Sequence, residues 1–404
     1  MAQVAAPPRR SAGPRVPAWV AGLVPLLVLG VGIVLFVALD APGLQRNGIP
    51  VEELAVEKTE LRPGQIELTV RNDGPDPVGI RQAIVNDGFA AFEQTTEDIG
   101  RLGASRVTID YPWIEGQAYD VALVTATGGT ATSAVDVATE TPETDVGFFG
   151  LMALVGLYVG VIPVAIGMLW LPWLRRVDQR LVQFLLALTL GLLAFLGLDA
   201  LLEGQEFAGT GSQAFGGGAL VFLGAAVSYL GLVGLDAWLR GRKRRESAKG
   251  AGPWRLAFLV AFGIGLHNLG EGLAIGSSYA IGSLALGATL IVGFALHNTT
   301  EGLAIVAPVA NEPGGGAQRL RRLVGLGLLA GVPAVIGAWV GASAFNPSLA
   351  AFMFGLGAGA IVQVIVQIAP SIRDGAGRLL HPLAVGGIVT GVALMYATGL
   401  LISV

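Results

Sequence analysis

The chain has 404 residues, 53% hydrophobic and only 13% charged, with a formal net charge of -4. A soluble domain is about a quarter charged, so most of this chain has lipid rather than water as its solvent. The basic residues sit in short loops, which excludes a nucleic-acid footprint, and the absence of Cys excludes a disulfide framework and thiolate metal sites.

Residues 1–16 carry Arg9, Arg10 and Arg15 and read as a cytoplasmic tail. The apolar run over 17–40 is longer than the roughly 7–15-residue core of a signal peptide, so it predicts a retained transmembrane anchor. Residues 48–142 are different in kind. Ile66, Leu68 and Val70 alternate with Glu67 and Thr69. The same period of two recurs at Val107 and Ile109, at Tyr119, Val121 and Leu123, and at Val135 and Val137. Turn signals at Arg62-Pro63-Gly64, Asn72-Asp73-Gly74-Pro75 and Gly128-Gly129 separate these segments. The pattern predicts a small extracytoplasmic β-sandwich. Residues 61–74 resemble the opening of cupredoxin-like domains, but they hold no His, Cys or Met, so no copper site is expected.

Residues 146–404 predict an eight-helix transmembrane bundle, with apolar runs near 147–173, 181–202, 217–239, 254–276, 284–309, 323–344, 349–370 and 380–403. About 20 apolar residues suffice to cross the hydrocarbon core. Many of the 60 glycines fall in these runs, where they let helix backbones approach closely. Lys and Arg fill the loops after the first, third, fifth and seventh runs and are missing after the second, fourth and sixth. By the positive-inside rule the N-terminus is cytoplasmic, and the β-sandwich and the C-terminus face outside. The whole reads as a mainly α, multi-pass membrane protein.

The chain has three His residues, and two open near-copies of one motif. The fourth run reads His267-Asn-Leu-Gly-Glu271-Gly-Leu-Ala-Ile275, and the fifth His297-Asn-Thr-Thr-Glu301-Gly-Leu-Ala-Ile305. Each His lies roughly 20 Å along its run, near the bilayer midplane. His and Glu four apart share a helix face, and Asn268 and Asn298 lie about 100° round from them. A carboxylate at a helix centre costs on the order of 2.5–3.5 kcal/mol by insertion scales. No Lys or Arg in the interior of these runs compensates it, so a divalent cation, or protons in its absence, is the expected neutraliser. Imidazole and carboxylate suit zinc first, and also iron(II), manganese and related ions.

The two motifs resemble those on the fourth and fifth helices of ZIP (Zrt/Irt-like) divalent-metal transporters, which read His-Asn-x-Pro-Glu-Gly and His/Gln-Asn/Asp-x-x-Glu. The likeness covers residues 146–404, including eight spans and the largest basic loop after the third. It implies that His267, Glu271, His297 and Glu301 hold the main ion and that Asn268 and Asn298 look toward a second position. It also implies inward transport of the ion as substrate, a homodimer, and no organic cofactor. Two positions depart from the family. Its Pro is Gly270 in one motif and Thr300 in the other, and the carboxylate that many members carry on the seventh helix is replaced by Gln363 and Gln367 as extra ligands or outer supports. Two carboxylates balance one divalent ion, so a single tight site is expected.

Other polar residues in the runs have weaker claims. Asp199 and Glu203, near the end of the second run, either attract cations at an entrance or anchor the helix end. Asp236 reads as an ion pair with Arg240 rather than a ligand. His381, opening the eighth run, serves an exiting ion, caps the helix or sits at the membrane interface. No Gly-x-x-x-x-Gly-Lys loop suggests ATP hydrolysis, so the expectation is a secondary carrier in the cell membrane and not an enzyme. The competing readings are a metal-dependent intramembrane hydrolase, for which His-Glu-x-x-His is missing, and a metal-sensing receptor.

Overall fold

A computed structural model of the chain describes residues 18–39, 50–135, 137–143, 145–243, 251–280, 284–313, 316–343 and 346–402. It divides into two compact units, residues 1–50 and 51–404. The first unit contributes one helix, α1 (Ala18–Ala38), apolar on every side. The predicted anchor run falls on this helix, whose described apolar stretch is Leu23–Phe36.

The second unit opens with a β-sandwich. One sheet has the order β1 (Leu54–Arg62), β2 (Gln65–Asn72), β7 (Ala104–Asp110), β5 (Phe92–Gln94). The other has β4 (Gly88–Ala90), β3 (Val78–Val85), β8 (Tyr119–Thr125), β9 (Thr130–Val135), with β6 (Asp98–Ile99) also on β3. All neighbours pair antiparallel. The alternating residues of β2, β7 and β8 do what their period dictates: Ile66, Leu68, Val70, Val107, Ile109, Val121 and Leu123 are buried between the sheets. Val137, in contrast, lies beyond β9 and is exposed. The sequence reading had missed β1, β3 and the hairpin between β3 and β4. Asn86 and Asp87 make that turn with positive φ, the two-residue geometry that Asn and Asp tolerate.

A β-bulge interrupts β1, with the register shifting between Val56 and Lys58. The bulged residue, Glu57, takes a bidentate ion pair from Arg71 on β2, with Nε–Oε1 2.6 Å and Nη2–Oε2 3.1 Å. The hydrogen bond to Glu57 raises the Arg71 guanidinium above its ordinary range, against the opposing effect of partial burial.

Asp145 then caps α2 (Val146–Gly156) by accepting from Phe148 N. A π-helical turn over Leu157–Val161 joins α2 to α3 (Ile162–Met168), and a short α4 (Leu171–Leu174) follows. The remaining helices are α5 (Gln179–Thr210), α6 (Ala219–Lys243), α7 (Ala251–Ala280), α8 (Leu284–Val306), α9 (Ala317–Ser343), α10 (Pro347–Ile368) and α11 (Pro382–Ile402). Among the described residues, six helical stretches are long and apolar enough to cross a membrane: Val146–Leu174, Gln179–Thr210, Gln213–Leu239, Gly252–Tyr279, Ala317–Ser343 and Pro347–Ile372. The other two expected runs are helical as α8 and α11. The described apolar stretch of α11 is shorter, Pro382–Ala397, and part of α8 has side chains outside the described residues.

The helices pack as two sets. In one, α7 lies along α9 and α8, α8 along α3, and α9 along α2. In the other, α10 lies along α5 and α6, and α11 along α5. The sets meet chiefly where α10 crosses α7. Small residues make the close crossings. A Cβ at Gly272 on α7 would lie 2.0 Å from the Ala334 carbonyl oxygen, and one at Gly337 on α9 would lie 2.0 Å from that of Leu269. Lipid tails are as apolar as Leu, so such backbone-to-backbone contact is what drives association in a bilayer.

Candidate metal centre

The two motif helices are neighbours, and they turn His267, Glu271 and His297 toward each other. His267, Glu271 and His297 are all buried, and one ligand atom from each lies within 4.8 Å of the others. Glu271 is the hub. His297 Nε2 hydrogen-bonds its Oε1, His267 Nε2 stands 3.0 Å from the same oxygen, and Asn298 Nδ2 donates to Oε2 at 2.9 Å. The imidazole centroids are 6.1 Å apart, and Phe294 packs edge-on against His297 at 5.6 Å. Two nitrogens and a carboxylate around one point form a ligand set suited to a borderline-soft divalent ion.

Glu301 is buried in the same region but stands apart from the group of three. Neither of its carboxylate oxygens has a hydrogen-bond partner. A buried carboxylate without partners is costly, and a cation or a proton is what would stabilise it there.

The Asn residues do a job that the motif alone did not reveal. Asn268 Nδ2 donates to the Ala330 carbonyl on α9 at 3.0 Å. Asn298 Nδ2 donates to the Val159 carbonyl in the π turn at 3.1 Å. Pro163 has no N–H for the carbonyl four residues before it, so Val159 O is free to accept. Both Asn Oδ1 atoms remain buried without a partner. Each amide thus anchors its helix to a neighbour and leaves an oxygen free.

The glycine after each Glu repeats that logic. Gly272 packs on the α9 backbone, and a Cβ at Gly302 would lie 2.2 Å from the Val164 carbonyl oxygen on α3. The duplicated Glu-Gly pair was visible in the sequence. The signal lay in the Gly, which was there read only as part of the repeat.

The remaining sequence candidates scatter. α10 backs His267 at Gly357, where a Cβ would make an ordinary contact 3.5 Å from Nδ1. Gln363 is buried further along α10, with its Oε1 unpartnered, and both amide atoms of Gln367 are likewise buried and unpartnered. Asp199 and Glu203 sit deeper than the sequence placed them, because α5 runs on to Thr210. Asp199 interacts electrostatically with His297, His267 and Glu271, and Glu203 with Glu206 and Asp199. Asp199, Glu203 and Glu206 share one face of α5, with Asp199 and Glu206 exposed and Glu203 half-buried.

Asp236 pairs with Arg255 on α7 at 3.5 Å, across the two helix sets, while the Arg240 side chain lies outside the described residues. His381 Nε2 donates to the Ile372 carbonyl at 2.8 Å, tying the residue before α11 to the 3-10 turn that follows α10. A donating imidazole does not cap the N–H groups that open α11, so the bond holds the connection instead.

No protein-family model and no curated protein sequence matches this chain.

Proposed function

We propose that this protein is a secondary carrier for a divalent transition-metal ion, zinc first among the candidates, and that the ion binds as substrate at His267, Glu271 and His297. The observation that carries the reading is the hub itself: a buried carboxylate between two imidazoles, on adjacent helices of a bundle whose apolar stretches are long enough to cross a membrane. The unpartnered oxygens of Glu301, Asn268 and Asn298 are the further donors that the two motif helices offer to the ion. A site at mid-depth between helices suits alternating access. The resemblance of the two motifs to those of ZIP transporters, and the distribution of Lys and Arg among the loops, support inward movement across the cell membrane, with the β-sandwich outside.

A metal ion coordinates an imidazole only through a nitrogen that carries no proton, so ions compete with protons for His267 and His297. Uptake therefore falls as the medium is acidified through the histidine range. Uptake that stays flat between about pH 5 and 7.5 counts against the site.

A second reading rests on the same geometry. Three protein ligands with an unpartnered carboxylate, Glu301, beside them resemble a hydrolytic zinc centre with its general base. Purified protein in proteoliposomes loaded with a zinc-sensitive dye separates the two. The carrier gives zinc entry that the double variant Glu271→Ala, Glu301→Ala abolishes. Absence of flux from a protein that still binds zinc would leave the hydrolytic reading standing.

A further inference from the structure

The proposed carrier leaves the β-sandwich without a task, yet the sandwich is tied to the bundle at specific points. Asn72 shapes the turn after β2: its Nδ2 donates to the carbonyls of Asp76 and Ile99, and its Oδ1 accepts from Gly74 N at 2.8 Å. The rigid turn presents Asp73, whose carboxylate accepts from Ser212 Oγ and from Gln213 N, both in the loop between α5 and α6. The Arg71 guanidinium lies over the ring of Phe215 in the same loop, 5.6 Å from its centroid. The bulge in β1 turns Glu57 toward Asn346, whose Nδ2 donates to Glu57 Oε1 at 3.1 Å. Asn346 in turn caps α10 by accepting from Leu349 N. Bulges re-aim side chains in this way.

Every one of these contacts lands on the set made of α5, α6, α10 and α11. The ligands and their anchors lie on the other set: His267, Asn268 and Glu271 on α7, His297 and Asn298 on α8, Val159 before α3 and Ala330 on α9. We propose that the β-sandwich is a brace, clipped by Glu57, Arg71 and Asp73 onto the helix set without metal ligands, and that it stays clipped whether or not metal is bound. The brace fixes the end of α5 against the start of α10. The uptake arm of the test below rests on the carrier reading; the clip itself does not.

The chain has no Cys, so Asp73→Cys with Ser212→Cys creates the sole thiol pair in the full-length protein. Dibromobimane becomes fluorescent on joining two nearby thiols. The brace gives cross-linking at one rate with saturating zinc and with chelator, unchanged zinc affinity, and uptake equal to that of the unlinked protein. Should the Ser212 variant fail to fold, Gln213→Cys, at an exposed position, takes its place.

Cross-linking that slows or quickens severalfold with zinc overturns the brace. So does a lack of cross-link when each single Cys reacts with maleimide, or a cross-linked protein that binds zinc but no longer moves it. Failure of the carrier reading is recognised separately, because uptake is then missing from the unlinked protein while cross-linking and zinc binding are still read.

Discussion

The two motif helices differ at only two of nine motif positions, yet their carboxylates live in different surroundings. Glu271 gathers His267, His297 and Asn298, whereas no hydrogen-bond partner among the described residues meets Glu301. Both Asn residues anchor to a neighbouring carbonyl, but only Asn298 also reaches the hub. A repeated sequence therefore supplies two potential hubs, and antiparallel packing makes one of them the meeting point.

Several measurements sharpen or break that asymmetry. The largest effect is expected at the hub. Glu271→Ala should weaken zinc binding by more than the 10–100-fold that loss of an outer-shell partner costs, a deficit above about 3 kcal/mol. Glu301→Ala should stay near or below about 10-fold. Isothermal titration on both variants checks this, and equal losses would show that the carboxylates are interchangeable ligands.

Packing comes next. Gly272→Ala and Gly302→Ala drive a methyl into a carbonyl 2.0 and 2.2 Å away, and each should cost about 1–3 kcal/mol or more by overpacking. Thermal melts in detergent read the loss. Asn298→Ala should then bind zinc about tenfold more weakly than Asn268→Ala, roughly 1.4 kcal/mol, because it alone frees a carboxylate oxygen of the hub. The smallest effect belongs to Gly270→Ala. Its Cβ would meet nothing closer than the Met353 carbonyl at 3.8 Å, so stability should hold within about 0.5 kcal/mol. A large loss there would reveal a bend that the helix needs.

Much of this was open to direct reading, for reasons of period and solvent. The β-strands with strict alternation were recognisable because one face of each must be buried. The apolar runs were recognisable because lipid leaves a backbone no partner but itself. The paired His and Glu stood out because ionisable groups are rare in such runs. The bulge at Glu57 was not legible, since an extra residue in a strand has no composition signature, and neither was the reach of Asn346 from the start of α10.

Sequence by itself determined the chemistry that could meet: two imidazoles, two carboxylates and two amides on two helices, each with a glycine one residue beyond the acid. Only the tertiary structure decided that Glu271 and not Glu301 is shared, that the amides hold neighbouring backbones, that Asp236 takes Arg255, and that the β-sandwich meets the bundle at Ser212, Gln213, Phe215 and Asn346. The reason is one of range. Spacing along a helix fixes which side chains share a face, but which faces meet depends on where small residues let two backbones touch. That is a property of pairs of helices far apart in the chain.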